Sequence, residues 1–92
     1  MGIKHKELEE KLKNYLEVNN ISLFSNGHMA LELALQAMNL KGEVITTPFT
    51  FIASGNAILY TGAKPVFADI DLKTYTLNPD SIEALLTENT KA

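Results

Sequence analysis

Residues 21–35 read ISLFSNGHMALELAL, a short β-prone run that turns through Ser25, Asn26 and Gly27 into an apolar helical segment. This order predicts a strand followed directly by a buried helix that starts near His28. The first amides of a helix lack intrahelical acceptors and the helix dipole favours negative charge there, so this junction is a candidate anion site. Helix starts with Ser, Asn or Gly caps are common, and the pattern alone therefore fits a structural cap better than a binding site.

Composition is that of an ordinary globular chain. Of 92 residues, 46% are hydrophobic and 21% charged, with a formal net charge of -3, so we expect one domain with a small core. No basic block is present, which argues against nucleic acid or an anionic membrane as the main partner. The absence of cysteine excludes disulfides and thiolate metal sites. The amino terminus lacks the apolar core of a secretion signal, so we expect a cytoplasmic protein; Met1 and Gly2 could be a cloning scar.

Two helices are predicted in the amino-terminal half of the chain. The spacing of Leu8, Leu12 and Leu16 predicts a two-faced surface helix over residues 6–18 that stops near residues 19–20. The next helix, residues 28–40, is stopped by Lys41-Gly42 and is apolar on most of its circumference. Such a helix needs cover on several sides, and the chain offers little material for it. This imbalance indicates that the chain is a fragment of something larger.

The remaining pattern alternates strands with helices. Residues 43–47 and 65–70 are predicted as strands, and residues 51–60 as a helix closed by Gly62. A last short helix is predicted after Asn78, an amino-cap followed by proline. Together with residues 21–24 this makes three strands separated by helical crossovers, which predicts an α/β fold with βαβ units and parallel pairing.

Three blocks of sequence carry a family resemblance: SNGH at residues 25–28, TTPFTFIAS at 46–54 and GAKPVFADID at 62–71. In this order, and across nearly the whole chain, they resemble the start of the DegT-type family of nucleotide-sugar aminotransferases. The resemblance implies a three-layer sheet segment from the large domain of a fold type I enzyme that uses pyridoxal 5'-phosphate (PLP). It also implies that residues 1–92 are a single partial domain.

The resemblance assigns cofactor contacts to three positions. The backbone amides of Gly27 and His28 would hold the cofactor phosphate; many family members carry Thr at the position of His28 and add a hydroxyl contact. Phe51 matches the aromatic residue that lies against the pyridine ring, and a flat apolar ring suits that stacking. Phe49 is expected to be a core residue. Asp69 and Asp71 are expected to serve architecture, and we assign no metal site.

The implied reaction transfers an amino group, usually from glutamate, to a keto sugar carried on a nucleotide, in an enzyme built as a homo-oligomer. The lysine and the acidic partner of the pyridine nitrogen that PLP chemistry needs have no match here, so we assign no catalytic residue to this chain. Two alternatives stay open: a PLP-dependent sugar dehydratase of the same family, and a non-catalytic α/β binding or scaffold module.

Overall fold

The computed structural model describes residues 2–92, which fold as four helices and two strands. In chain order the elements are α1 (Ile3–Leu16), α2 (Gly27–Met38), β1 (Glu43–Thr46), α3 (Ala53–Tyr60), β2 (Lys64–Phe67) and α4 (Pro79–Leu85). The two strands pair in parallel, with Glu43 opposite Lys64 and Thr46 opposite Phe67. The predicted βαβ unit is therefore present as β1-α3-β2.

A small apolar core joins α2, α3 and the sheet. It consists of the buried residues Leu35, Val44, Ala57, Ile58 and Ala63, with Leu40 packed against them. Ala57 is fully buried, because α3 packs on both α2 and the two strands. α2 and α3 are thereby fixed relative to the sheet, and both contribute residues to the site described below.

Three predicted boundaries are confirmed by their capping geometry. Asn26 caps α2, since its Oδ1 accepts the Met29 N–H at 2.9 Å. Gly62 follows the last turn of α3 with φ +79° and donates its N–H to the Leu59 carbonyl at 3.0 Å. Asn78 caps α4 by accepting the Asp80 N–H at 3.0 Å. Short polar side chains and a left-handed glycine set these ends, as their chemistry predicts.

The prediction of a strand at residues 21–24 is wrong. Within the part of the chain that the structure describes, these residues have no regular secondary structure and no backbone hydrogen bond. A strand requires a neighbouring strand to accept its hydrogen bonds, and β propensity alone does not supply one. The sheet formed by β1 and β2 is two-stranded instead of three-stranded.

The other edge of β1 is occupied by the carboxyl-terminal residues, which the sequence did not indicate. The Glu43 N–H donates to the Asn89 carbonyl at 2.9 Å, and the Lys91 N–H donates to the Glu43 carbonyl at 2.8 Å. One step further, the Ile45 N–H donates to the Ala92 carbonyl at 2.8 Å. Residues 89–92 therefore lie beside β1 in a parallel, strand-like arrangement.

Two helices end earlier than predicted, because polar residues enter the left-handed region. α2 stops at Met38, since Asn39 takes φ +49°, and not at Lys41-Gly42. α1 stops at Leu16, since Glu17 takes φ +55°. In residues 2–92 no helix has the length and apolar character needed to cross a membrane.

Both amino-terminal helices leave apolar side chains in solvent. α1 has no buried residue. Of the apolar residues of α2, Leu35 is buried, whereas Met29, Leu31, Leu33 and Met38 are exposed. The predicted imbalance between the apolar surface of α2 and the material available to cover it is therefore present in the structure.

Candidate functional site

A concave surface lies just past the carboxyl ends of β1 and β2. One depression of about 320 Å³ is lined by residues of the segment after β1, by α3 and by the last residue of β2: Thr47, Pro48, Thr50, Phe51, Ile52, Gly55 and Phe67. In open α/β sheets, ligands bind outside the carboxyl ends of the strands. Its position alone therefore makes this surface a candidate binding site.

A second depression, also about 320 Å³, lies at the start of α2. It is lined by Asn26, His28, Phe51, Ile52, Ala53 and Asn56. Phe51 and Ile52 line both depressions, so the two are adjacent and share one wall. The fold thus brings the Asn26-Gly27-His28 turn and Phe51 together, although they are 23 or more residues apart in sequence. The Phe51 side chain is 79% exposed and available for stacking.

The start of α2 presents two amides that the protein does not use. The N–H groups of Met29 and Ala30 donate to the Oδ1 and the carbonyl of Asn26, at 2.9 and 3.3 Å. The N–H groups of Gly27 and His28 donate to no acceptor within residues 2–92. Unused amides at a helix start are the arrangement that binds phosphate in many proteins.

Gly27 is important for the space it leaves, not for its backbone angles. It is the first helical residue of α2 and is not among the glycines with positive φ, so other residues could adopt its backbone angles. A Cβ atom built there would meet nothing within 4 Å. The surface beside its N–H is therefore open to a ligand.

The His28 imidazole is held by the protein between α2 and α3. Its Nε2 lies 3.5 Å from Glu32 Oε2, and its ring meets Tyr60 edge-to-face with centroids 6.0 Å apart. Its Nδ1 is buried and has no hydrogen-bond partner within the described chain. Because the imidazole is held by these contacts, it does not replace the Thr hydroxyl that many family members have at this position. The group that His28 presents at the helix start is its backbone N–H.

Phe49 is not a core residue, contrary to our expectation. It is 60% exposed and stacks on Tyr75, with ring centroids 5.7 Å apart and an interplanar angle of 26°. Pro48 ends the strand, and Thr47 Oγ1 accepts the Phe49 N–H at 3.0 Å, so the loop turns outward before Phe49. The two phenylalanines of this loop therefore differ. Phe51 lines both depressions, whereas Phe49 contacts a neighbouring loop.

The two aspartates after β2 have architectural contacts. Asp71 Oδ1 accepts the N–H groups of Lys73 and Thr74 at 2.7 and 3.3 Å, which closes a turn. Asp69 Oδ1 accepts the N–H of Ile70, and its carbonyl accepts the Asn78 N–H. Residues 2–92 contain no group of three His, Cys, Asp or Glu side chains placed to hold a metal ion.

Among residues 2–92, one clear pKa shift occurs, and it lies at the opposite end of the strands. The Thr87 hydroxyl, which donates to Glu43 Oε2 at 2.9 Å, and the Lys64 ammonium, 3.1 Å from Oε1, lower the pKa of the Glu43 carboxyl. Both partners favour the charged form of the carboxyl. Glu43 is therefore a fixed anion that ties β1 to β2 and to the carboxyl-terminal segment.

Asn56 lines the site but was missed by sequence reasoning. It lies on α3, on the wall facing His28. The signal available was a polar residue in the middle of the otherwise small and apolar segment ASGNAILY. Helix periodicity predicts that such a residue faces solvent. It borders a depression because α3 packs against α2.

These features fit a phosphorylated aromatic ligand. Two unused amides can donate hydrogen bonds to an anion, and an exposed phenyl ring beside them can stack on a flat heterocycle. The residues that line the two depressions include no lysine or carboxylate, so the described chain supplies binding groups and the His28 imidazole there, but no amine nucleophile and no carboxyl acid or base.

Comparison with known proteins finds relatives that match nearly the whole chain. The chain is 50% identical over 88 residues to dTDP-4-amino-4,6-dideoxy-D-glucose transaminase of Escherichia coli, a match that covers 96% of this chain and 24% of the relative. It is 42% identical to GDP-perosamine synthase of Caulobacter vibrioides, over 94% of this chain and 24% of that protein. The chain thus spans about a quarter of the length of the curated relatives it matches.

Solved structures give the same result. The sugar aminotransferase Spr1654 of Streptococcus pneumoniae, in its PLP form, superimposes with a TM-score of 0.90 and 35% identity, over 99% of this chain and 24% of that one. The α/β arrangement is therefore that of a segment of a fold type I PLP aminotransferase. The model of the DegT/DnrJ/EryC1/StrS aminotransferase family matches residues 1–92, and the chain belongs to that family.

Proposed function

We propose that this chain is the amino-terminal part of a PLP-dependent aminotransferase that transfers an amino group from glutamate to a keto sugar carried on a nucleotide. Family membership over the whole chain and relatives named for nucleotide-linked amino sugars support the reaction class. The observation that carries the proposal is the pairing of the unused Gly27 and His28 amides with exposed Phe51 on one concave surface.

Each of these residues has a defined part in binding. The N–H groups of Gly27 and His28 would hold the phosphate of PLP, and the α2 dipole adds to the attraction. Phe51 would stack on the pyridine ring and fix its plane. Asn26 holds the helix start in shape through its bond to Met29. Bound PLP supplies the electron sink that amino transfer requires.

The remaining proposals concern assembly. We propose that residues 1–92 form part of one larger domain in a cytoplasmic homo-oligomer. The exposed apolar residues of α2 and the uncovered α1 support this, since apolar surface of this extent favours association. We expect the isolated chain to self-associate. Analytical ultracentrifugation over a range of concentrations checks this, and a monomer at every concentration would contradict it.

A chimera tests the function most directly. The matching 88 residues of the E. coli transaminase, which are 50% identical, are replaced by this chain. We expect the chimera to bind PLP and to keep transaminase activity. Phe51→Ala in the chimera should weaken PLP affinity about two- to twelvefold, because ring stacking contributes about 0.5–1.5 kcal/mol.

Phe49→Ala is the matched control, since it removes the same ring from the same loop at a residue that stacks on Tyr75 instead. It should leave PLP affinity unchanged. A folded chimera that does not bind PLP, or equal effects of the two substitutions, would contradict the proposed function of this segment.

A further inference from the structure

Asn56 is a polar side chain without a structural partner. Its backbone is satisfied, because its N–H donates to the Ile52 carbonyl at 3.0 Å. Its carboxamide makes no hydrogen bond to residues 2–92; the residue is partly buried, and its carboxamide atoms still reach solvent. A carboxamide can donate two hydrogen bonds and accept two, so this one is available to a ligand that enters the depression.

The surroundings of Asn56 place it at the candidate site. It lines the same depression as Asn26, His28 and Phe51. Tyr60 lies four residues further along α3, hence on the same face of that helix, and its ring contacts the His28 ring at 6.0 Å. The Asn56 face of α3 is therefore turned toward the start of α2.

The charge of the depression makes a neutral donor valuable there. Its lining residues include neither lysine nor arginine, so an anion held by the Gly27 and His28 amides finds no ammonium or guanidinium group among them. A phosphate ester has three terminal oxygens that only accept hydrogen bonds, and two amides leave some of that capacity unused. A carboxamide N–H on the facing wall is suited to fill it.

We infer that Asn56 is a further ligand-binding residue, whose Nδ2 donates a hydrogen bond to a phosphate oxygen of the ligand held at the start of α2. The inference rests on the proposed function of that site. It adds a third contact, from α3, to the two from α2. It also explains why a polar residue sits in the middle of an apolar helix segment.

The test uses the ¹⁵N-labelled chain and two probes. Pyridoxine 5'-phosphate carries the ring and phosphate without an aldehyde, so it cannot react with lysines, and inorganic phosphate carries the anion alone. With either probe we expect the Asn56 side-chain amide signals to shift together with the backbone amides of Gly27 and His28. Asn56→Asp keeps the shape, removes the donors and adds a negative charge. It should weaken the affinity for either probe about tenfold.

Two further variants keep the result interpretable. Asn14→Asp adds the same charge on α1, outside the depression, and should change affinity less than about twofold. Asn56→Ala removes the carboxamide without adding charge and favours the helix, so it should stay folded and still bind more weakly. The same spectra report whether each variant is folded.

The outcomes separate the inference from the proposed function. The role of Asn56 would be overturned, and the anion site left intact, by either of two results. One is that the Gly27 and His28 amide signals shift while the Asn56 side-chain signals do not; the other is full affinity in both Asn56 variants. A response of Asn56 to pyridoxine 5'-phosphate but not to inorganic phosphate would overturn the phosphate contact. No shift at Gly27 and His28 with either probe would overturn the anion site, and the inference with it.

Discussion

The two ends of the same pair of strands differ in how their polar groups are used. At the amino end, both carboxylate oxygens of Glu43 are bound, one to Lys64 and one to Thr87. The backbone N–H and carbonyl of Glu43 are bound as well, by the carboxyl-terminal segment. At the carboxyl end, the Gly27 and His28 amides donate to nothing within residues 2–92, and Phe51 is mostly in solvent.

This contrast assigns stability to one end and binding to the other. Polar groups that are already paired hold the chain together, whereas unpaired groups on a concave surface are available to a ligand. Substitutions at the amino end should therefore change the free energy of unfolding. Substitutions at the carboxyl end should change ligand affinity and leave that free energy almost unaltered.

The largest expected effect is that of Gly42→Ala at the amino end. Gly42 has φ +144°, and a Cβ atom there would press against the Asn89 carbonyl oxygen. Both the backbone angle and the contact oppose a side chain, so we expect a loss of about 2–3 kcal/mol in the free energy of unfolding. Urea denaturation followed by circular dichroism measures it.

Gly62→Ala is the matched control for the contact. Gly62 also has a positive φ, +79°, but a Cβ there meets nothing within 4 Å. It should therefore cost only the backbone strain, about 1 kcal/mol. Equal losses in the two variants would show that the close packing of Asn89 against Gly42 contributes nothing to stability.

Next in size is the effect of Phe51→Ala at the carboxyl end of the isolated chain. Its affinity for pyridoxine 5'-phosphate should fall about two- to twelvefold with the loss of stacking. The free energy of unfolding should change by less than about 0.5 kcal/mol, because the side chain is exposed. Isothermal titration and urea denaturation on the same sample separate the two, and a large stability loss with unchanged affinity would reverse the assignment of this end.

The sequence predicted what short-range chemistry controls. Asn26, Gly62 and Asn78 act at helix ends through groups within three residues, so their positions could be deduced without knowing the fold. The βαβ order followed from the alternation of apolar periods. The proximity of His28 and Phe51 in one depression was an implication of the family resemblance, and residue patterns alone did not predict it.

What the sequence did not predict depends on distant partners. Residues 21–24 have strand-like composition but no neighbouring strand, whereas residues 89–92 pair with β1 despite a polar composition. Phe49 looked like a core residue, because an aromatic beside a strand usually is, yet the turn at Pro48 directs it toward Tyr75. Asn56 borders the depression only because α3 packs against α2. In each case the deciding group is far away in sequence.

A smaller effect is expected for the pH dependence that Glu43 gives to the amino end. Hydrogen bonds from Thr87 and Lys64 lower the pKa of Glu43 in the folded chain from its ordinary value of 4.5. A lowered folded-state pKa means that the stabilisation is complete above pH 4.5 and is lost as pH falls through the lower folded value. Stability should therefore decline on the acid side of pH 4.5.

Glu43→Gln should remove part of that decline. Urea midpoints at pH 7 and at pH 3 should differ less in the variant than in the unmodified chain. Glu10→Gln, which removes an exposed carboxylate paired with Lys13 on α1, is the control and should leave the pH dependence nearly unchanged. An identical acid response in the Glu43 variant and the unmodified chain would show that this carboxylate is not a source of stability.

The smallest expected effect is no effect at all: the 92-residue chain should not transaminate by itself, even with PLP bound. Positioning a cofactor through its phosphate and ring does not supply the amine nucleophile, the proton-transfer group or the partner of the pyridine nitrogen. No lysine lines either depression in residues 2–92, and Lys64 is paired with Glu43 at the other end of the strands. The binding end therefore lacks the amine nucleophile and a carboxylate partner for the pyridine nitrogen.

The measurement is 2-oxoglutarate formed from glutamate and PLP in the presence of the purified chain, with PLP alone at the same concentration as the blank. A surface lysine can react with PLP and change its absorbance, so only product formation counts. We expect the two rates to be equal. If the chain gives turnover above the blank, and Phe51→Ala lowers that turnover, then the carboxyl end of the strands carries out chemistry as well as binding. The assignment of stability to one end and binding alone to the other would then be wrong.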